Sequence, residues 1–179
     1  MRDVTLKQEY STSHALVIGI NEHAHASPLS YAVNDADEVA ITLEKTFGFP
    51  NSNITLLTNA AATKQAILKA YLSFGNSVDR DGRVIVFFAG HGFTKSAGNR
   101  EVGFLVPHDG DVNDLATLIR WEELSLGAEL IPAKHLFFIM DACYGGLFFN
   151  RAASAGSVRF LKDMLVRPAR QALTAGKKD

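Results

Sequence analysis

Two residues stand out by where they fall in the chain. Cys143, the sole cysteine of 179 residues, comes just after the apolar run Leu136-Phe-Phe-Ile-Met140 and Asp141, and Gly145 and Gly146 follow it. His91 sits between Gly90 and Gly92, directly after the apolar run Arg83-Val-Ile-Val-Phe-Phe-Ala89. A thiol beside an imidazole can ionise at neutral pH, because imidazolium stabilises the thiolate. The same ring can then protonate a leaving amine. Glycines allow tight backbone approach, and each backbone N–H aimed at a developing oxyanion contributes roughly 3–4 kcal/mol to transition-state stabilisation. A lone cysteine is commonly a small buried hydrophobe, and a lone histidine at a strand end is commonly structural. The joint pattern, two polar residues beside glycines and each ending an apolar strand, is what points to catalysis.

The elements that position these residues read as an alternation of strands and helices. An apolar run without polar alternation is a strand buried on both faces, as in a parallel sheet under helices. Ala15–Ile20, Ile54–Leu57, Arg83–Ala89, Val102–Val106 and Leu136–Met140 are strands by this reading. Asn34 is expected to cap a helix carrying Asp35 in its first turn and the stripe Ala36, Val39, Ala40, Leu43, Phe47. Thr63 is expected to cap a second helix, and Trp121–Leu130 a third. Gln171–Ala175 can begin one more strand. The result is an α/β fold with right-handed crossovers and a mainly parallel sheet. In such a sheet the strand ends share one rim, so Asp35, His91 and Cys143 can converge there.

Composition narrows the classes. A chain of this length suits one domain, residues 1–179. The net charge of −1 offers no reason to expect nucleic acid or an anionic membrane as partner. No apolar run approaches the ~20 residues of a bilayer span. A single cysteine forms no internal disulfide, and no signal peptide opens the chain, so a soluble cytoplasmic protein is the default. His23-Ala-His25 reads as a loop rather than a metal site. Residues 147–170 mix arginine and lysine with alanine, serine and glycine, and read as a mobile segment.

Phe88-Ala-Gly-His-Gly92 together with Met140-Asp-Ala-Cys-Tyr-Gly-Gly146 resembles the caspase-like cysteine peptidases, on the metacaspase and bacterial caspase-homologue side. The separation of His91 and Cys143 matches the roughly 50 residues of the caspase signature. The likeness runs from His14-Ala-Leu-Val-Ile-Gly-Ile20 through Asn34-Asp-Ala36 and Phe104-Leu-Val-Pro-His-Asp109 to about residue 175. It implies a three-layer α/β/α sandwich, with one or two last strands of the family's sheet expected beyond this chain. It also implies Cys143 as nucleophile, His91 as general acid and base, and the N–H groups of Gly92 and Cys143 as oxyanion hole. No cofactor is implied; calcium activation, known among metacaspases, has weak support here, since Asp109-Gly-Asp-Val-Asn-Asp114 reads as a surface turn.

Asp141 stands where true caspases differ, two residues before the cysteine and on its side of the strand. With Asp35 it makes two carboxylates at one rim, which a guanidinium satisfies through paired hydrogen bonds. Cleavage of protein substrates after arginine or lysine is therefore expected. Arg151, Arg159 and Lys162 then become candidate self-cleavage points in a processed linker, the chain being large-subunit-like and partnered by a C-terminal small fragment or a fused regulatory domain. The rival readings are a catalytically silent caspase-like scaffold and a peptidase that cleaves after aspartate.

Overall fold

The computed structural model describes residues 10–98, 100–142 and 169–174. β1 (Ser13–Gly19), α1 (Ala32–Lys45), β2 (Ile54–Thr58), α2 (Lys64–Ser77) and β3 (Arg83–Ala89) follow one another as crossover units. β4 (Gly92–Ala97), β5 (Arg100–Leu105) and β6 (Ile119–Arg120) come next, then α3 (Trp121–Gly127), β7 (His135–Asp141) and β8 (Ala169–Thr174). The main sheet has the order β2-β1-β3-β7-β8, and every adjacent pair is parallel. β4, β5 and β6 form a separate antiparallel ribbon.

Alternation along each strand sends side chains to two layers. Leu16, Ile18, Val84, Val86, Phe88, Leu136, Phe138 and Met140 pack with Ile67, Tyr71 and Phe74 of α2 and Leu124 of α3. The intervening Ala15, Val17, Phe87 and Ala89 pack with Ala32, Ala36 and Leu43 of α1. Tyr71 is fully buried there and donates its hydroxyl to the Leu124 carbonyl at 2.6 Å, and burial pushes its pKa up.

Several expectations need correcting. β7 is not buried on both faces: Leu136, Phe138 and Met140 are buried, while Phe137 and Ile139 are half-buried and Asp141 is exposed. The cause is that α1 lies over β1, β2 and β3 and leaves the same face of β7 half open. α1 begins at Ala32, so Asn34 lies inside the helix and is not its cap. Phe47 falls just past the helix end and is exposed. Thr63 does cap α2, accepting from the Ala66 N–H at 3.2 Å. The further strand near residue 171 is β8, pairing with β7 from His135↔Ala169 to Met140↔Thr174.

Candidate active site

The chain leaves β1 for β2 on one side and returns to β3 on the other, so the order reverses between β1 and β3. Parallel sheets hold their sites in the crevice at such a reversal. At the carboxyl ends, Gly19 pairs with Ala89 and Ala89 with Asp141, so the three form one row across the rim. Pairing continues past the strands, with the Ile20 N–H on the Ala89 carbonyl at 3.0 Å and the Gly90 N–H on the Asp141 carbonyl at 3.3 Å. His91 is the next residue. Asp141 points to the α1 side of the sheet by alternation, and Asp35 lies in the first turn of α1. Asp35 is half-buried, Asp141 exposed, and among the described residues neither forms a salt bridge.

α1 comes unusually close to the rim because β1 ends in glycine. A Cβ on Gly19 would lie 2.4 Å from the Ala32 carbonyl oxygen, 2.6 Å from the Ala36 Cβ and 2.9 Å from the Val33 Cα. The helix also takes its cap from a distance: Tyr31 supplies no side-chain bond, and Asn21 Oδ1 accepts from the Val33 N–H at 3.2 Å. Asn21, just past β1, thereby ties the loop after that strand to the helix carrying Asp35.

That loop reaches His91. The Nε2 atom of His91 lies 2.8 Å from the carbonyl oxygen of Ser27. A carbonyl only accepts, so Nε2 carries the proton and Nδ1 of the neutral ring is left as the acceptor. Proline follows Ser27 and keeps it extended. The loop is pinned elsewhere: Asn59 Oδ1 accepts from the Asn21 N–H at 2.9 Å and the Glu22 N–H at 3.1 Å, and His108 Nδ1 meets the Glu22 carbonyl at 2.6 Å. The backbone carbonyl of His91 accepts from the Val106 N–H at 3.0 Å. That bond, with Gly92 opposite Leu105, puts Gly92 at a non-hydrogen-bonded position, its N–H turned away from β5.

The ring of His23 stands against that of His91, with centroids 4.7 Å apart and planes tilted by 50°. Among the described residues neither ring nitrogen of His23 has a hydrogen bond of good geometry, although the Val106 backbone tends to raise its pKa. Burial, reinforced by the neighbouring His91 and His108, lowers that pKa to about 4. His23 is therefore a neutral ring at pH 7.

Asn59 holds a backbone φ of 44°, in the left-handed region that asparagine tolerates better than most residues. Asn59→Ala removes one oxygen that serves two N–H groups and adds backbone strain. A loss of about 2 kcal/mol in urea unfolding is expected, while Asn59→Asp, which keeps the acceptor, loses little. Equal losses in the two variants would show that the side-chain oxygen is not what holds the loop.

The Asp109–Asp114 stretch folds as a surface turn. Asp109 Oδ1 accepts from the Lys64 N–H at 2.8 Å, Asp111 Oδ1 from the Asn113 N–H at 2.9 Å, and Asp114 Oδ1 from the Ala116 N–H at 3.1 Å. Cys143, Arg151, Arg159 and Lys162 lie outside the described residues. No helix among the described residues is long and apolar enough to cross a membrane.

A family model described as the caspase domain, within a peptidase family, matches residues 12–175. The chain belongs to the caspase domain family. Metacaspase-4 of Arabidopsis thaliana is 26% identical over 155 residues, which covers 79% of this chain and 35% of that protein. A crystal structure of a Geobacter sulfurreducens protein superposes with a TM-score of 0.62 at 19% identity, over 74% of this chain and 50% of that one. The structure of pro-sf-caspase-1 superposes with a TM-score of 0.50 at 20% identity, over 85% and 56%. This caspase domain thus spans about a third of the metacaspase and about half of each of the two solved chains. The parallel sheet with helices on both faces is the caspase fold. Two parts of its rim went unread in the sequence: the Ser27 carbonyl, because any residue type supplies one, and the contact of His23 with His91. The histidine pair at 23 and 25 was the one available signal.

Proposed function

We propose that residues 1–179 form a cysteine peptidase domain that hydrolyses protein substrates after arginine or lysine. The observation that carries this reading is the setting of His91. It lies at the carboxyl rim of the sheet, with Nε2 on the Ser27 carbonyl and, near the same rim, two carboxylates that form no salt bridge among the described residues. Cys143, two residues past Asp141, supplies the nucleophile in this reading. Its thiolate attacks the carbonyl carbon, and the oxyanion is held by N–H groups of Gly92 and Cys143. The freed orientation of the Gly92 N–H supports that role. His91 gives a proton from Nδ1 to the amine as the C–N bond breaks, leaving a thioester on Cys143. Water then attacks the thioester, His91 takes its proton, and the acid product leaves as the thiol is restored.

Asp35 and Asp141 select the residue before the cut, drawing a guanidinium or ammonium to the rim. The steps use side chains, backbone N–H groups and water; calcium enters as an addition to be tested in the same assay. Once cut by the same chemistry at Arg151, Arg159 or Lys162, the chain would process itself.

The decisive measurement is hydrolysis of fluorogenic peptides ending in Arg, Lys or Asp, by wild type and by Cys143→Ala. Arg and Lys peptides are expected to turn over and the Asp peptide not, with all turnover lost in the variant. Asp35→Ala is expected to lower kcat/KM for the Arg peptide by about 10- to 100-fold. Preference for the Asp peptide would overturn the specificity. No turnover of any peptide would favour a silent caspase-like scaffold.

A further inference from the structure

We propose that His23 is a positioning residue for His91, its ring forming a flat wall that keeps His91 Nε2 on the Ser27 carbonyl and Nδ1 free. The proposal rests on the peptidase reading for its catalytic consequence, but its structural content stands on the described residues alone.

The hydrogen bond to Ser27 fixes one atom of the His91 ring. A ring held at one atom can still rock about that contact, and the proton-carrying nitrogen can exchange roles with its neighbour when the ring turns over. The tilted contact with His23, 4.7 Å between centroids and 50° between planes, crowds the ring and restricts both motions. His23 is suited to this because it carries no charge: burial and the nearby imidazoles of His91 and His108 keep it neutral, so it does not repel a protonated His91. A cation at position 23 would oppose the imidazolium that the thiolate needs. The loop bearing His23 also bears Ser27 and is pinned by Asn59 and His108. Acceptor and wall therefore move as one unit.

Three variants of the full chain separate shape from polarity. His23→Phe keeps a flat uncharged ring, His23→Leu fills the space without one, and His23→Ala empties it. With the Arg peptide, kcat is expected within about threefold of wild type for Phe and roughly 10- to 100-fold lower for Leu and Ala, the scale of a small misplacement of a catalytic group. KM is expected to stay within about twofold throughout. The His91 tautomer, read from long-range ¹⁵N–¹H correlations of its ring, gives a measurement that needs no activity. Read in the Cys143→Ala background, where no thiolate holds His91 protonated, the chain with His23 and the His23→Phe variant are expected to show a single Nε2–H form, and His23→Leu a mixture. An unchanged tautomer in His23→Leu overturns the proposal, as does a Phe variant as slow as Leu. If the wild type cleaves no peptide, the peptidase reading fails while the tautomer measurement still decides the role of His23.

Discussion

His91→Ala is expected to lower kcat/KM on an Arg peptide by roughly 10³- to 10⁴-fold, with little effect on unfolding. The size follows from two losses at once. In the proposed mechanism Cys143 then lacks the imidazolium that favours its thiolate, and an unassisted thiol, with a pKa near 8.5, is little ionised at pH 7. Without a proton donor, the amine must leave as a poor leaving group, a penalty of about 10² to 10⁴ by itself. The stability effect is small because His91 is half-exposed and, among the described residues, its side chain gives up the ring bond to Ser27 and the contact with His23. The backbone bond from Val106 to the residue 91 carbonyl survives the change. Peptide kinetics with urea melts of the same samples check both halves. More than a tenth of wild-type turnover in His91→Ala would remove His91 from the chemistry.

Gly19→Ala carries the second large effect, and here it falls on folding. The new Cβ meets the Ala32 carbonyl, the Val33 Cα and the Ala36 Cβ, all within 3 Å and none at the end of a flexible side chain. Either α1 lifts from the sheet or β1 bends, and overpacking of this kind costs about 3 kcal/mol. A lifted α1 also carries Asp35 away from the rim and strains the Asn21 cap, so the proposed preference for arginine should fall with stability. Gly48→Ala is the matched control. Gly48 has a φ of 70° but nothing within 4 Å of an added Cβ. Its cost is confined to the backbone, about 1 kcal/mol. Urea midpoints of the two variants give the comparison, and equal shifts would mean that helix contact is not what requires glycine at position 19.

Much of the fold could be read from residue order because its signals are local. The run Arg83–Ala89 is apolar enough to announce a buried strand, and Thr63 sits in front of a helical stripe with its hydroxyl in reach of Ala66. The placing of His91 after a strand end needed only that strand. What escaped depends on partners far along the chain. β4 is half polar, Gly92-Phe-Thr-Lys-Ser-Ala97, and becomes a strand by pairing with β5 rather than by pattern. The Asn34 cap failed because Asn21, twelve residues before Val33, holds the helix start instead. The half-open face of β7 depends on where α1 ends up, which no periodicity records.

The rim's fastenings have a kinetic meaning. Ser27 and His91 are 64 residues apart, Glu22 and His108 are 86, and Asn21 and Asn59 are 38. Closing spans of that size costs chain entropy before any contact repays it. The pairing of β1 with β3 itself joins Ser13 to Arg83, so the rim contacts close on a frame that has already met a span of that size. Held by single side-chain contacts rather than by strand ladders, the rim can open locally while the sheet remains whole.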